Sequence, residues 1–77
     1  MKMKILDLHG TKHEDVEKVL TRFINQNFNK KMKIITGKSN KMKFIVCAVI
    51  EEYDLRYRIG DMTNNGYITI YNHSEET

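Results

Sequence analysis

The feature that most constrains this chain is a helix-forming stretch held between two short β-forming runs. Residues 3–8, "MKILDL", read as a short buried strand that ends at His9-Gly10. Val16, Val19, Leu20, Phe23, Ile24 and Phe28 then recur at the spacing of one helix face, predicting a helix to about Asn27. Thr11-Lys12-His13-Glu14 fits a capping box at its start, with the Thr11 hydroxyl accepting from the Glu14 N–H and Glu14 reaching back. Asp15 and Glu17 suit the positive end of the helix dipole. Residues 31–36, "KMKIIT", form the second run. A helix between two strands is the usual crossover between parallel neighbours.

The pattern then repeats with variation. "GKSN" is a loop in which Ser39 or Asn40 is available to cap a second helix. From Lys41 to about Asp54 the chain is rich in β-branched residues. Yet Met42, Ile45, Val46, Val49, Ile50 and Tyr53 recur at helical spacing, and the length favours that helix over a strand. In "LRYRI", Leu55, Tyr57 and Ile59 alternate with Arg56 and Arg58, as a half-buried strand should. Asn65-Gly66 is a hairpin-turn signal and "YITIY" the returning strand. The predicted order is βαβαββ. Right-handed crossovers put both helices on one face of a four-stranded mixed sheet, a two-layer α/β sandwich. The opposite face is left partly open, and the strand order is not determined at this level. One domain spans residues 1–77, with a core over about 3–72 and a frayed tail at 73–77.

Size and composition exclude several classes. Seventy-seven residues leave no room for a large nucleotide-driven machine. A chain this short buries only ~60% of its unfolded surface, so its margin of stability is small. The single cysteine, Cys47, supports neither an intramolecular disulfide nor a cysteine-based zinc site, and its apolar surroundings make it a small core residue. The longest apolar run, Phe44 to Ile50, is too short to cross a bilayer. No signal-peptide cleavage region precedes the first strand, so no membrane partner and a cytoplasmic location are expected.

The net charge of +3 conceals an asymmetry. Between Lys18 and Ile50 lie eight basic residues and no acid, while the remaining segments hold five basic and ten acidic residues. Six lysines crowd into "KKMKIITGKSNKMK", residues 30–43. A field of one sign attracts polyanions and is weakened by salt. A solvated lysine face that keeps the protein soluble is the competing account.

Two polar clusters end the first two strands, "DLHG" and "TGKS". In parallel strands both fall at the carboxyl edge of the sheet, where open α/β sheets bind ligands. Asp7 and His9 lie two apart on a strand and project to one side, and a carboxylate beside an imidazole suits general acid–base work. Gly10 permits a sharp turn out of the strand. A Walker phosphate loop would require glycine at position 32, which is Met32. What remains is a glycine turn leading into a helix N-terminus, itself an anion site, with Lys38, Lys41 and Lys43 nearby.

"LDLHG", a helix, a strand ending in "ITGKS", a second helix and a closing hairpin together resemble a small MutS-related (Smr) domain. The likeness covers residues 5 to about 72. The family's L-D-x-H-G motif is complete as Leu6-Asp7-Leu8-His9-Gly10. Its [T/H]-G-x-G motif departs at one place, since Ser39 stands where glycine is usual. The resemblance implies a two-layer sandwich similar to the C-terminal domain of translation initiation factor 3. It also implies endonuclease activity on nucleic acid. Carried over, Asp7 and His9 become the catalytic pair, and Gly37 and Lys38 become the cradle of a phosphate. Ser39 holds that approach looser than glycine would, or offers its hydroxyl instead.

The expected function is therefore endonucleolytic, on RNA before DNA. His9 acts as general base or acid, Asp7 orients it, and the Thr36–Ser39 amides with Lys38 stabilise the reacting phosphate. Lys30, Lys31, Lys33, Lys41, Lys43, Arg56 and Arg58 are candidates for tracking the strand. Tyr57, Tyr67 and Tyr71 offer stacking platforms or, equally, sheet packing. A Mg2+ requirement stays open, because Asp7 is the one acid near the presumed site and magnesium is held by carboxylates or substrate phosphates. The alternative is a non-catalytic module that binds RNA or a ribosome and competes with a larger nuclease. The expected oligomeric state is a monomer or weak dimer.

Overall fold

A computed structural model describes residues 3–60 and 63–71. The expected frayed tail, residues 73–77, lies outside the described residues. The elements follow the order β1 (Lys4–Asp7), α1 (His13–Gln26), β2 (Met32–Ile35), α2 (Asn40–Glu52), β3 (Arg56–Ile59) and β4 (Tyr67–Tyr71). The four strands form one sheet in the order β1-β2-β4-β3. β1 and β2 run parallel, joined through α1, while β4 pairs antiparallel with both β2 and β3. The mixed sheet and two helices make the α/β sandwich expected from the pattern.

One face of the sheet carries the core. Leu8, Met32, Ile34, Ile68 and Ile70 are fully buried with Val16, Leu20 and Ile24 of α1 and Val46 and Ile50 of α2. Alternation along the strands sends the intervening residues to the other side. Ile5 and Asp7 on β1, Lys33 and Ile35 on β2, and Tyr67, Thr69 and Tyr71 on β4 therefore share the face that no described helix covers. Arg56 and Arg58 join them on β3, paired in register with Tyr71 and Thr69.

Local signals account for most element boundaries. The Ser39 hydroxyl accepts from the Met42 N–H at 3.1 Å and caps α2, as expected. α2 ends through Asp54 in the left-handed region (φ 58°), and the Leu55 N–H returns to the Ile50 carbonyl. The capping box on α1 does not form. Lys12 occupies the N-cap position without a side-chain cap, because the Thr11 amide instead donates to the Leu8 carbonyl at 2.8 Å. The turn after β1 thus consumes Thr11, and the helix begins at His13.

The hairpin expected at Asn65-Gly66 joins β3 to β4 as an antiparallel pair, and Asn64 Oδ1 accepts from the Gly66 N–H at 2.9 Å in a local side-chain turn. Ile59 is 46% exposed, because β3 is the sheet edge and the side chain lines the open groove between β3 and α2. Cys47 is half-buried rather than a core residue, and burial raises its thiol pKa above the ordinary value. Among the described residues no helix is long and apolar enough to cross a membrane.

Candidate nucleic-acid interface

The parallel pairing of β1 with β2 sets Asp7 opposite Ile35, so the two polar clusters leave the sheet side by side. The Leu8 N–H donates to the Ile35 carbonyl at 2.8 Å and extends that pairing one residue further. His9 is exposed and lies against Gly37. A Cβ built on Gly37 would stand 3.2 Å from His9 Cδ2. Gly37 has φ +70°, a conformation that side chains rarely adopt, so glycine here serves both the turn and the close approach. Gly10 turns the chain away behind His9 with φ +90°.

The first strand-end cluster is wired differently from the expected carboxylate–imidazole pair. Asp7 Oδ1 accepts from the backbone N–H of His9 at 2.9 Å. The carboxylate therefore fixes the backbone of His9, and through it the direction in which the imidazole leaves. The side-chain bond expected between the two groups is replaced by this local turn, which a residue two positions away makes at little entropic expense.

The second cluster also differs from the expected four-amide cradle. The N–H groups of Thr36 and Gly37 both donate to the carbonyl of Gly66, each at 2.9 Å. The Thr36 hydroxyl, buried, donates to the Gly37 carbonyl. Two of the four amides are thus committed to the β3–β4 loop, and the Ser39 hydroxyl is committed to its cap. No described acceptor is seated on the amides of Asn40 and Lys41, which open α2 beside the exposed Lys38 and Lys41 side chains. The sequence marks Gly66 as a turn residue alone, since only strand order brings its carbonyl to this place.

The lysines separate into three locations. Lys38 and Lys41 stand at the strand-end edge. Lys31 and Lys33 lie on the open sheet face, with Nζ of Lys33 4.5 Å from the centroid of the Tyr67 ring and Nζ of Lys31 5.2 Å from that of Tyr71. Lys43, expected to track a strand of nucleic acid, is instead buried to 9% exposure. It turns into a groove of ≈ 500 Å³ between α2 and β3, beside Phe44, Cys47, Glu51, Tyr57 and Ile59. Its stem is packing material there, which takes it off the candidate interface.

Tyr57 likewise leaves the interface. It projects to the helix side, where its hydroxyl donates to Glu51 Oε2 at 2.7 Å. That bond to a carboxylate, followed by burial, pushes the phenol pKa well above its ordinary value. Arg56 and Arg58 are exposed on the open face, as the alternation of "LRYRI" required. Among the described residues no group of three His, Cys, Asp or Glu side chains comes together that could hold a metal ion.

The arrangement is that of a basic, aromatic-bearing α/β sandwich with His9 at its strand-end edge. Comparison of the chain with protein-family models, with curated proteins and with solved structures finds no match.

Proposed function

We propose that this domain is an endonuclease of the Smr type acting on RNA, with His9 as its proton-transfer group. The observation that carries this is the contact of His9 with Gly37, which brings the ends of "DLHG" and "TGKS" to one point. An imidazole is the one side chain here whose unperturbed proton exchange falls near neutral pH. With a 2′-hydroxyl seated beside it, His9 removes the proton and the 2′-oxygen attacks the adjacent phosphorus. The bond to the 5′-oxygen breaks, that oxygen takes a proton from solvent, and a 2′,3′-cyclic phosphate remains. Lys38, with the amides of Asn40 and Lys41, is placed to offset charge on the phosphate. Asp7 acts as a positioning residue through the His9 backbone.

The test is an end-labelled RNA cleavage assay with wild type beside His9→Ala. Loss of cleavage with binding retained supports the assignment, and an unchanged rate in His9→Ala overturns it. A cyclic-phosphate terminus is the expected product.

A second reading is a non-catalytic RNA-binding module. Its support is the commitment of the Thr36 and Gly37 amides to Gly66 and of the Asp7 carboxylate to an amide. Binding by wild type with no cleavage of any RNA decides for it.

A further inference from the structure

We propose that the open face of the sheet is a platform for single-stranded RNA, with bases stacked on Tyr67 and Tyr71 and phosphates held by Lys31, Lys33, Arg56 and Arg58. The inference rests on the reading of the domain as one that acts on RNA, and it names the surface along which the strand lies.

The argument is one of register. β4 lies between β2 and β3, so each of its outward residues has a neighbour on both sides. Thr69 sits between Lys33 and Arg58. Tyr71 pairs with Arg56, and Lys31, one residue ahead of β2, continues the register to Tyr71's other flank. The face thus carries one row cation–Tyr–cation and a second cation–Thr–cation, with neighbouring strands ~4.8 Å apart. Tyr67 and Tyr71 are four positions apart on β4, roughly 13 Å along the strand. Four-stranded sheets with aromatic side chains on an open face stack two or three bases in this manner.

The cations on the described strands of this face are complementary in charge to a polynucleotide. Among the described strand residues of this face, Asp7 is the single acid, and it stands at the far edge on β1. A Lys–Tyr pair on a sheet surface can be purely local, worth ~0.5–1 kcal/mol when exposed. That account explains either pair alone. It does not explain why two arginines from β3, outside the lysine-rich segment, complete both rows on the other flank of β4, Arg56 beside Tyr71 and Arg58 beside Thr69.

The platform also leads to the strand-end edge. Tyr67 is in register with Ile35, and Ile35 with Asp7, so one row crosses from the nearer ring to the strand that delivers His9. Tyr67 is therefore the stacking position adjacent to the proposed cleavage point, and Tyr71 the one beyond it.

The test is fluorescence polarisation with a short labelled single-stranded RNA of mixed sequence. His9→Ala serves as the parent so that no strand is cut during titration. Tyr67→Ala and Tyr71→Ala are each expected to weaken binding about 5- to 150-fold, the range for one lost stacked base. The corresponding Phe variants, which keep the ring and guard against simple unfolding, are expected to bind like the parent. Lys33→Gln and Arg58→Gln are each expected to flatten the log K against log salt slope by ~0.7. Lys18→Ala, an exposed lysine on α1, is expected to leave it unchanged. RNA duplex of the same sequence is expected to bind more weakly than the single strand. Parent-like affinity in both Ala variants overturns the platform, and if wild type still cleaves, the nuclease reading stands alone. Ring-dependent binding by a protein that never cleaves overturns the nuclease reading and keeps the platform.

Discussion

The imidazole of His9 lies against the backbone of Gly37, so close that a methyl carbon on Gly37 would stand 3.2 Å from His9 Cδ2. Gly37→Ala therefore does two things at once. It strains a backbone held at φ +70°, at ~1–2 kcal/mol, and it shifts the His9 ring by a few tenths of an ångström. Gly10→Ala supplies the control, since φ is +90° there but nothing lies within 4 Å of the added carbon. Both variants are expected to melt at lower temperature. Only Gly37→Ala is expected to lose cleavage per folded molecule, measured in single-turnover assays. Equal activity in the two would remove the contact from the mechanism.

Ser39 caps α2 by accepting from the Met42 N–H. Ser39→Ala is expected to reduce unfolding free energy by ~1 kcal/mol, and Ser39→Gly by only a few tenths. Urea denaturation monitored by circular dichroism measures both. An Ala variant as stable as wild type would show that the cap contributes nothing to α2.

Ile68 is fully buried on β4 and opposes Ile34 on one side and Ile59 on the other. Ile68→Ala is expected to cost about 2–5 kcal/mol, enough to unfold much of a domain with so small a margin. Ile59, 46% exposed at the sheet edge, is expected to tolerate Ala within ~0.5 kcal/mol. Equal losses at the two positions would contradict the edge placement of β3.

Tyr57 donates to Glu51, and this bond keeps the phenol protonated above its ordinary range. The native state then holds a proton that the unfolded state releases from pH ~10 upward. The bond's contribution is complete below that value and falls as pH rises through the raised native pKa. Tyrosinate absorbance against pH should show a late phase in the native protein that Tyr57→Phe removes. In Glu51→Gln that phase should move to lower pH. A single common transition in wild type would count against the bond.

Much of the fold was legible because its signals are local. Val16, Leu20 and Ile24 marked α1, Met42, Val46, Val49 and Ile50 marked α2, and all seven are buried. Ser39 announced its own helix. The neighbourhood of His9 and Gly37 was legible too, since a helical crossover makes the strands parallel and brings their ends together. The capping box failed for an equally physical reason. Thr11 had two possible partners, and the turn around Gly10 claimed its amide first.

Sequence alone therefore determined the elements, their order, the apolar faces and the two polar clusters at the strand ends, because periodicity and capping are properties of neighbouring residues. Tertiary structure decided which strands adjoin. Placing β4 between β2 and β3 set Tyr71 between Lys31 and Arg56, put the Gly66 carbonyl on the Thr36 and Gly37 amides, and left Lys43 and Tyr57 on the other side of the sheet. Alternation tells a strand residue which face it occupies. Only pairing between distant segments tells it what stands beside it.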